Sequence, residues 1–183
     1  MSEEMLIRYC SPTLAGMKTA SLFNCKFASY EKLKSAIRAF NRRLGAKGIR
    51  IIPLKIGKSS ALIYVYRPAR LKKDFSDKLC LELLQNSGYV CDCPEKCIAR
   101  LSSRIKSSED FPHEIGLFLG YPPEDVRGFI RYGSHRCLCT GCWKVYSDVP
   151  SALKTFAKFN KCTQKYAECY ALGRNLEKLA VVT

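Results

Sequence analysis

Tyr30–Tyr66, YEKLKSAIRAFNRRLGAKGIRIIPLKIGKSSALIYVY, places a helix pattern directly before a strand pattern, and this succession decides the fold class. In its first half Leu33, Ile37, Phe40 and Leu44 recur at steps of three and four, which gathers them on one face of a helix. Lys32, Lys34, Arg38, Arg42 and Arg43 fall largely off that face, and Gly45 and Gly48 stop the helix. Ile49–Ile56 and Ala61–Tyr66 are rich in β-branched and aromatic residues, and the stretch Gly57–Ser60 between them is short enough for a hairpin loop. Pro53 has no amide hydrogen to give to a ladder, so the first of the two strands belongs at a sheet edge.

Downstream, Pro68 opens a second amphipathic helix with the stripe Leu71, Phe75, Leu79 and Leu83, ending near Gly88, and a shorter helix runs from Glu95 toward Lys106. Phe111–Asp125, FPHEIGLFLGYPPED, reads as a short helix, a tight turn at Gly120, Tyr121 and Pro122, and a further helix through Ile130. Trp143–Tyr146 adds a strand. Asp148 ahead of Pro150 starts a long helix to about Leu172, and the tail Arg174–Val182 pairs or packs back. With no internal repeat and no low-complexity linker, the expectation is a single α+β domain over residues 1–183. It has a small, mainly antiparallel sheet, from the hairpin near 49–66 and the strand near 143–146, packed with several helices.

A chain of 183 residues buries enough apolar surface to fold without covalent staples. Its eleven cysteines are an odd number, and Met1-Ser-Glu-Glu-Met-Leu-Ile-Arg8 has acidic residues where a signal peptide needs a basic region; both point to the reducing cytoplasm. No stretch approaches the roughly twenty apolar residues of a membrane span, so no membrane partner is expected. Lys and Arg total 31 against 16 acidic residues, a formal charge of +15, and between Lys26 and Lys73 the only acid is Glu31. Such a field attracts nucleic acid or an acidic protein, with Arg38, Arg42, Arg43 and Lys47 as the contacts; a solvated basic surface without a ligand explains the same charge.

Soft ligands are concentrated at Cys137, Cys139 and Cys142. Cys139-Thr-Gly-Cys142 is a C-x-x-C turn with glycine before the second cysteine, a backbone that aims two sulfurs at one ion at about 2.3 Å each, and Cys137 offers a third. A fourth ligand comes from Cys162, Cys10, His135 or one of Cys91, Cys93 and Cys97. Cys162 and Cys169 lie about 10.5 Å apart along a helix, so only one of them can join a single-ion site. Zinc or an iron–sulfur cluster is the cofactor this pattern suggests; the alternatives are thiol redox chemistry and small buried hydrophobes.

A second candidate site is His113 with Glu114, a pair suited to acid–base work or metal binding where both side chains converge. Neighbours on a helix point about 100° apart, which opposes convergence, and the expectation is a hydrogen-bonded core histidine beside a glutamate that caps the following turn. Thr13, Lys18, Tyr121 and Lys144 are candidates to frame an anion pocket. Trp143, Lys144 and Tyr146 form a pattern that stacks a base beside a phosphate contact or simply lines a half-buried strand. The absence of a Walker loop, a dinucleotide fingerprint, H-E-x-x-H and G-x-S-x-G weighs against the common nucleotide-binding and hydrolase classes.

Cys10–Lys18 followed by Leu22-Phe23, the block Phe111–Phe129, and Gly141–Tyr146 with the later Cys162 resemble the signature blocks of an uncharacterised bacterial family catalogued as domain of unknown function 3793 and found mainly in anaerobes. The resemblance implies an anaerobic, reducing cytoplasm where thiolate and iron–sulfur sites survive, and it implies no activity. The residues put first a cysteine-rich metal- or iron–sulfur-binding protein in an accessory or redox role. A polyanion-binding module comes second and a small-molecule enzyme around His113 and Glu114 third; whether the chain is an enzyme stays open.

Overall fold

The computed structural model describes residues 1–107 and 110–182. The architecture is α+β and divides into two compact units, Met1–Ala69 with the chain from Phe159 onward, and Arg70–Lys158.

The first unit is built on a three-stranded antiparallel sheet of β1 (Ala20–Lys26), β2 (Arg50–Ile56) and β3 (Ser60–Tyr66) in the order β1-β3-β2. β2 is an edge, as Pro53 requires, and the β2–β3 register shifts between Pro53 and Lys55, where the missing amide hydrogen interrupts the ladder. Helices α1 (Glu3–Leu14) and α2 (Tyr30–Leu44) cover one sheet face. Leu6, Ile7, Cys10 and Leu14 of α1 and Leu33, Phe40 and Leu44 of α2 form one core with Phe23, Ile51, Ile63 and Val65 of the strands. Asn41 covers part of the exposed edge, its side-chain amide exchanging two 2.8 Å hydrogen bonds with the Ile51 backbone.

The sequence reading assigned no element before Tyr30. α1 and β1 are therefore additions, and β1 rather than Trp143–Tyr146 completes this sheet. The C-terminal tail does pack back: α9 (Leu176–Leu179), capped by the Asn175 side chain, sends Leu176 and Leu179 into the same core. Arg67, fully buried, gathers the ends of these pieces. Its guanidinium donates to the carbonyls of Thr13 (2.6 Å), Leu14 (2.7 Å), Lys47 (3.0 Å) and Val181 (2.8 Å). The first two belong to the last residues of α1, where the Thr13 carbonyl also accepts from the Gly16 amide (3.1 Å) and the Leu14 carbonyl from the Val181 amide (3.0 Å), so the cation reinforces an end that Gly16, at φ +70°, already turns.

The helix expected from Pro68 to Gly88 is two helices, α3 (Pro68–Asp74) and α4 (Lys78–Asn86). Asp77 breaks it by capping α4, its carboxylate accepting from the Cys80 amide at 2.9 Å. Leu71, Phe75 and Leu83 of the expected stripe are buried, Leu79 is only half-buried, and α4 buries Cys80 and Leu84 as well. α5 (Pro94–Ser107), α6 (Ile115–Phe118) and α7 (Pro123–Tyr132) follow the sequence reading. The late strand is present as β5 (Lys144–Val145), paired with β4 (Cys139–Thr140) in a separate two-stranded ribbon. α8 (Val149–Ala171) carries the chain from the second unit back to the first. Among the described residues no helix is long and apolar enough to cross a membrane.

Candidate small-molecule site

One turn and two close approaches bring α6, α7 and the ribbon together. Gly120, at φ +73°, turns the chain between α6 and α7. Gly116 is pressed so near α7 that a Cβ there would lie 2.7 Å from Val126 Cγ2. The Tyr146 ring lies directly on Gly128, where any side chain would collide with it. Asp125, 2% exposed, then fastens the ribbon to α7. Its Oδ2 accepts from Trp143 Nε1 at 2.7 Å, and its Oδ1 accepts from the Tyr146 amide (2.8 Å), the Ser147 amide (2.9 Å) and the Ser147 hydroxyl (2.8 Å). A buried carboxylate fully used in this way is a structural clamp.

The clamp sets Trp143 against Tyr121, with ring centroids 5.1 Å apart and planes 28° from parallel, and edge-on against Phe156 at 4.5 Å. Beside this stack opens a cavity of about 410 Å³ whose walls include Phe111, His113, Tyr121, Phe129, Trp143 and Lys144. His113 stands edge-on to Phe129 at 4.9 Å, and the Lys144 ammonium lies 5.9 Å from the centre of the same ring. Burial, with the Cys142 thiol nearby, pushes the Tyr121 hydroxyl up to about 12, so it stays protonated at neutral pH. Among the described residues Lys144 has no carboxylate within ion-pair distance. The result is an aromatic slot with an ammonium and an imidazole in its wall.

The roles expected of His113 and Glu114 are exchanged. His113 is exposed and lines the cavity, so it is no core histidine. Glu114 is the buried member, 4% exposed; its Oε1 accepts from the Tyr89 hydroxyl at 2.7 Å and pairs with Arg104 Nη1 at 3.2 Å. Glu114 sits at the start of α6, but its side chain makes no cap hydrogen bond, because those two partners hold it elsewhere. Of the residues proposed for an anion pocket, Tyr121 and Lys144 share this cavity. Thr13 and Lys18 belong to the other unit, where the Thr13 hydroxyl is occupied by Ser21 at 2.9 Å.

The cysteines serve varied ends. Cys139 packs against the small core of Val145, Ala152 and Phe156, and the glycine of its C-x-x-C turn, Gly141, is covered by the Phe156 ring. Cys137 donates to the Ser134 carbonyl at 3.5 Å, while Cys142 and His135 are exposed. Cys162 is half-buried in the first unit, and Cys10 is fully buried in that unit's core, where burial pushes its thiol up to about 12. Cys91, Cys93 and Cys97 lie around the head of α5. Among the described residues no three Cys, His, Asp or Glu side chains are assembled to hold a metal ion, so the donors present do not fit a preformed zinc or iron–sulfur centre.

Of the basic candidates, Arg38 and Arg42 line a groove on α2 with Lys34 and Asn41. Arg43 is committed to Glu3 of α1 and Glu177 of α9. Lys47 contributes its carbonyl to Arg67.

Nearly all of this framework falls inside one family pattern: a family model described as "Protein of unknown function (DUF3793)" matches residues 6–180. The chain belongs to that family. No curated protein and no solved structure matches it. Three site residues of this DUF3793 chain were not singled out from sequence. Phe111 and Phe129 sit in apolar patterns indistinguishable from core. Asp125 had a visible signal, a carboxylate in the first turn after Pro122-Pro123, but its use as a clamp depends on a ribbon twenty residues on.

Proposed function

We propose that the protein binds a small, flat, largely apolar molecule that carries one anionic group. The observation that supports this reading is the cavity beside Trp143, where Tyr121, Phe129 and Phe111 offer ring faces and edges, and Lys144, without a carboxylate partner among the described residues, offers a cation. Its volume, about 410 Å³, suits such a ligand, and aromatic walls with few polar groups are the usual make-up of small-molecule sites. In this arrangement the rings take the apolar body by stacking, Lys144 meets the anion, and His113 stands close enough to hold or move a proton.

Trp143 is the only tryptophan in the chain, so intrinsic fluorescence reports directly on the site. Titration with anilinonaphthalene sulfonate should saturate with one probe per chain and transfer energy from Trp143. Lys144→Gln should weaken it roughly tenfold, about 1.5 kcal/mol for a lost charge-assisted contact. The neutral analogue N-phenylnaphthylamine should be nearly unaffected by that change. Non-saturable binding, or equal loss for both probes, would reject the reading.

One observation favours polyanion binding as a second reading. Lys34, Arg38 and Arg42 stand one turn apart along α2, lining one groove, and neither arginine has an acidic partner among the described residues. Among the described residues the metal reading has no assembled ligand set in its support.

A further inference from the structure

Ahead of α5 the chain folds so that two cysteine side chains rest on one short stretch of backbone. The Cys97 thiol donates to the Val90 carbonyl at 3.5 Å, and since that carbonyl is bonded to the nitrogen of Cys91, the Cys97 sulfur lies against the Cys91 backbone. The Cys91 thiol turns along the same stretch, donating to the Tyr89 carbonyl at 3.9 Å, so both sulfurs rest on the Tyr89–Cys91 backbone. Cys91 is half-buried, whereas Cys97 is 1% exposed, so one sulfur is open to an incoming molecule and the other waits behind it. Cys93 is only two residues from Cys91, a separation too short for an unstrained disulfide. Cys80, on α4, is itself 1% exposed.

We propose that Cys91 and Cys97 form a dithiol–disulfide couple that exchanges with low-molecular-weight disulfides. The Cys91 thiolate attacks one sulfur of the small disulfide, forming a mixed disulfide and releasing one small thiol. Cys97 then gives its proton to solvent and attacks the Cys91 sulfur; the protein disulfide forms and the second small thiol leaves. Two protein thiols lose two electrons in total, and one small disulfide becomes two thiols. Burial, the neighbouring thiols Cys91 and Cys93, and Asp92 push the Cys97 thiol up to about 12. Its thiolate is scarce at neutral pH, so the second step is the slow one and quickens as pH rises.

The test is equilibration of the full-length protein in oxygen-free glutathione buffers of graded redox ratio, followed by acid quenching, alkylation and peptide mapping by mass spectrometry. The expected result is reversible loss of two alkylation sites and a single linkage between Cys91 and Cys97. Cys97→Ser should stop at a glutathione adduct on Cys91, and Cys93→Ser should leave the couple intact. A linkage to Cys80 or Cys93, persistent glutathione on Cys91 of the unaltered protein, or full alkylation of both residues at the most oxidising ratio would each overturn the proposal. The wild-type map decides the matter alone should the buried Cys97→Ser change prevent folding.

Discussion

Replacing Glu114 with glutamine and, separately, His113 with glutamine should give opposite results from adjacent positions. Glu114 is 4% exposed, and its carboxylate holds the Tyr89 hydroxyl at 2.7 Å and Arg104 at 3.2 Å. Glutamine keeps an oxygen for Tyr89, but it loses the charge that strengthens both contacts and turns an amide towards a guanidinium. A charge-assisted hydrogen bond contributes about 1.5–3 kcal/mol, and Arg104, one-third exposed, recovers part of its loss by turning to water. A net cost of about 2–4 kcal/mol follows, which in a chain of this size lowers the melting temperature by roughly 4–16 °C. Tyr89→Phe should cost about 1 kcal/mol through the same link. Its hydroxyl is held well above the usual phenol range by burial and by Glu114, so it donates throughout the neutral range. His113 is exposed and touches Phe129 by one ring edge, so His113→Gln should stay within about 0.5 kcal/mol of wild type. Thermal and denaturant unfolding followed by circular dichroism would measure all three. Equal losses at 113 and 114, or a larger loss at 113, would refute the assignment of Glu114 to the framework and His113 to the cavity.

Arg67→Met should cost about 3–5 kcal/mol or prevent folding, because four carbonyls lose a buried cationic donor; an unchanged denaturant midpoint would show that water replaces it. Alkaline pH should destabilise the fold through Cys10, Cys80 and Cys97, whose thiols are raised from 9.0 to about 12. Above pH 9 the unfolded chain binds fewer protons there than the native one, so stability should fall as pH climbs towards 12, and a flat midpoint over that window would contradict the burial of these thiols. If the α2 groove binds nucleic acid, Arg38→Glu with Arg42→Glu should abolish a steeply salt-dependent affinity; Arg43→Gln should instead lower stability, and undetectable binding at low salt would reject the groove. Protein purified without oxygen should carry less than one equivalent of zinc or iron, and stoichiometric metal lost on changing Cys139 and Cys142 to serine would show that the ribbon reorganises around an ion.

Elements whose partners lie nearby in sequence were legible. The α2 stripe, the hairpin with its proline edge, the turn at Gly120 and the Asp148 cap each declare themselves within a few residues. Those that failed depend on distant groups. The last turn of α1 contains Ser11-Pro-Thr13, which reads locally as a breaker, and its closing carbonyls are also held by Arg67, more than fifty residues away. β1 alternates only weakly and becomes a strand because β3 supplies a ladder along its whole length. The continuous apolar period from Leu71 to Leu83 concealed a break because Asp77, a mild substitution in the pattern, caps the second helix.

The site shows the same dependence in sharper form, since the spacing of the Cys137–Trp143 motif suggests thiolates on an ion while its folded contacts include ring packing. Cys137–Trp143 was read as sulfurs around a glycine. In the folded chain Gly141 is bare so that the Phe156 ring can rest on the turn, and Cys139 fills space beside Val145. The turn's product is therefore the placement of Trp143, held by Asp125 and stacked on Tyr121 at the cavity wall. A glycine between cysteines is consistent with converging thiolates and with a close-packed ring alike, and only the far side of the contact distinguishes them. That far side, Asp125 in α7 and Phe156 in α8, lies twelve residues before the motif and thirteen after it, which is why spacing alone points to a metal and packing points to the aromatic slot.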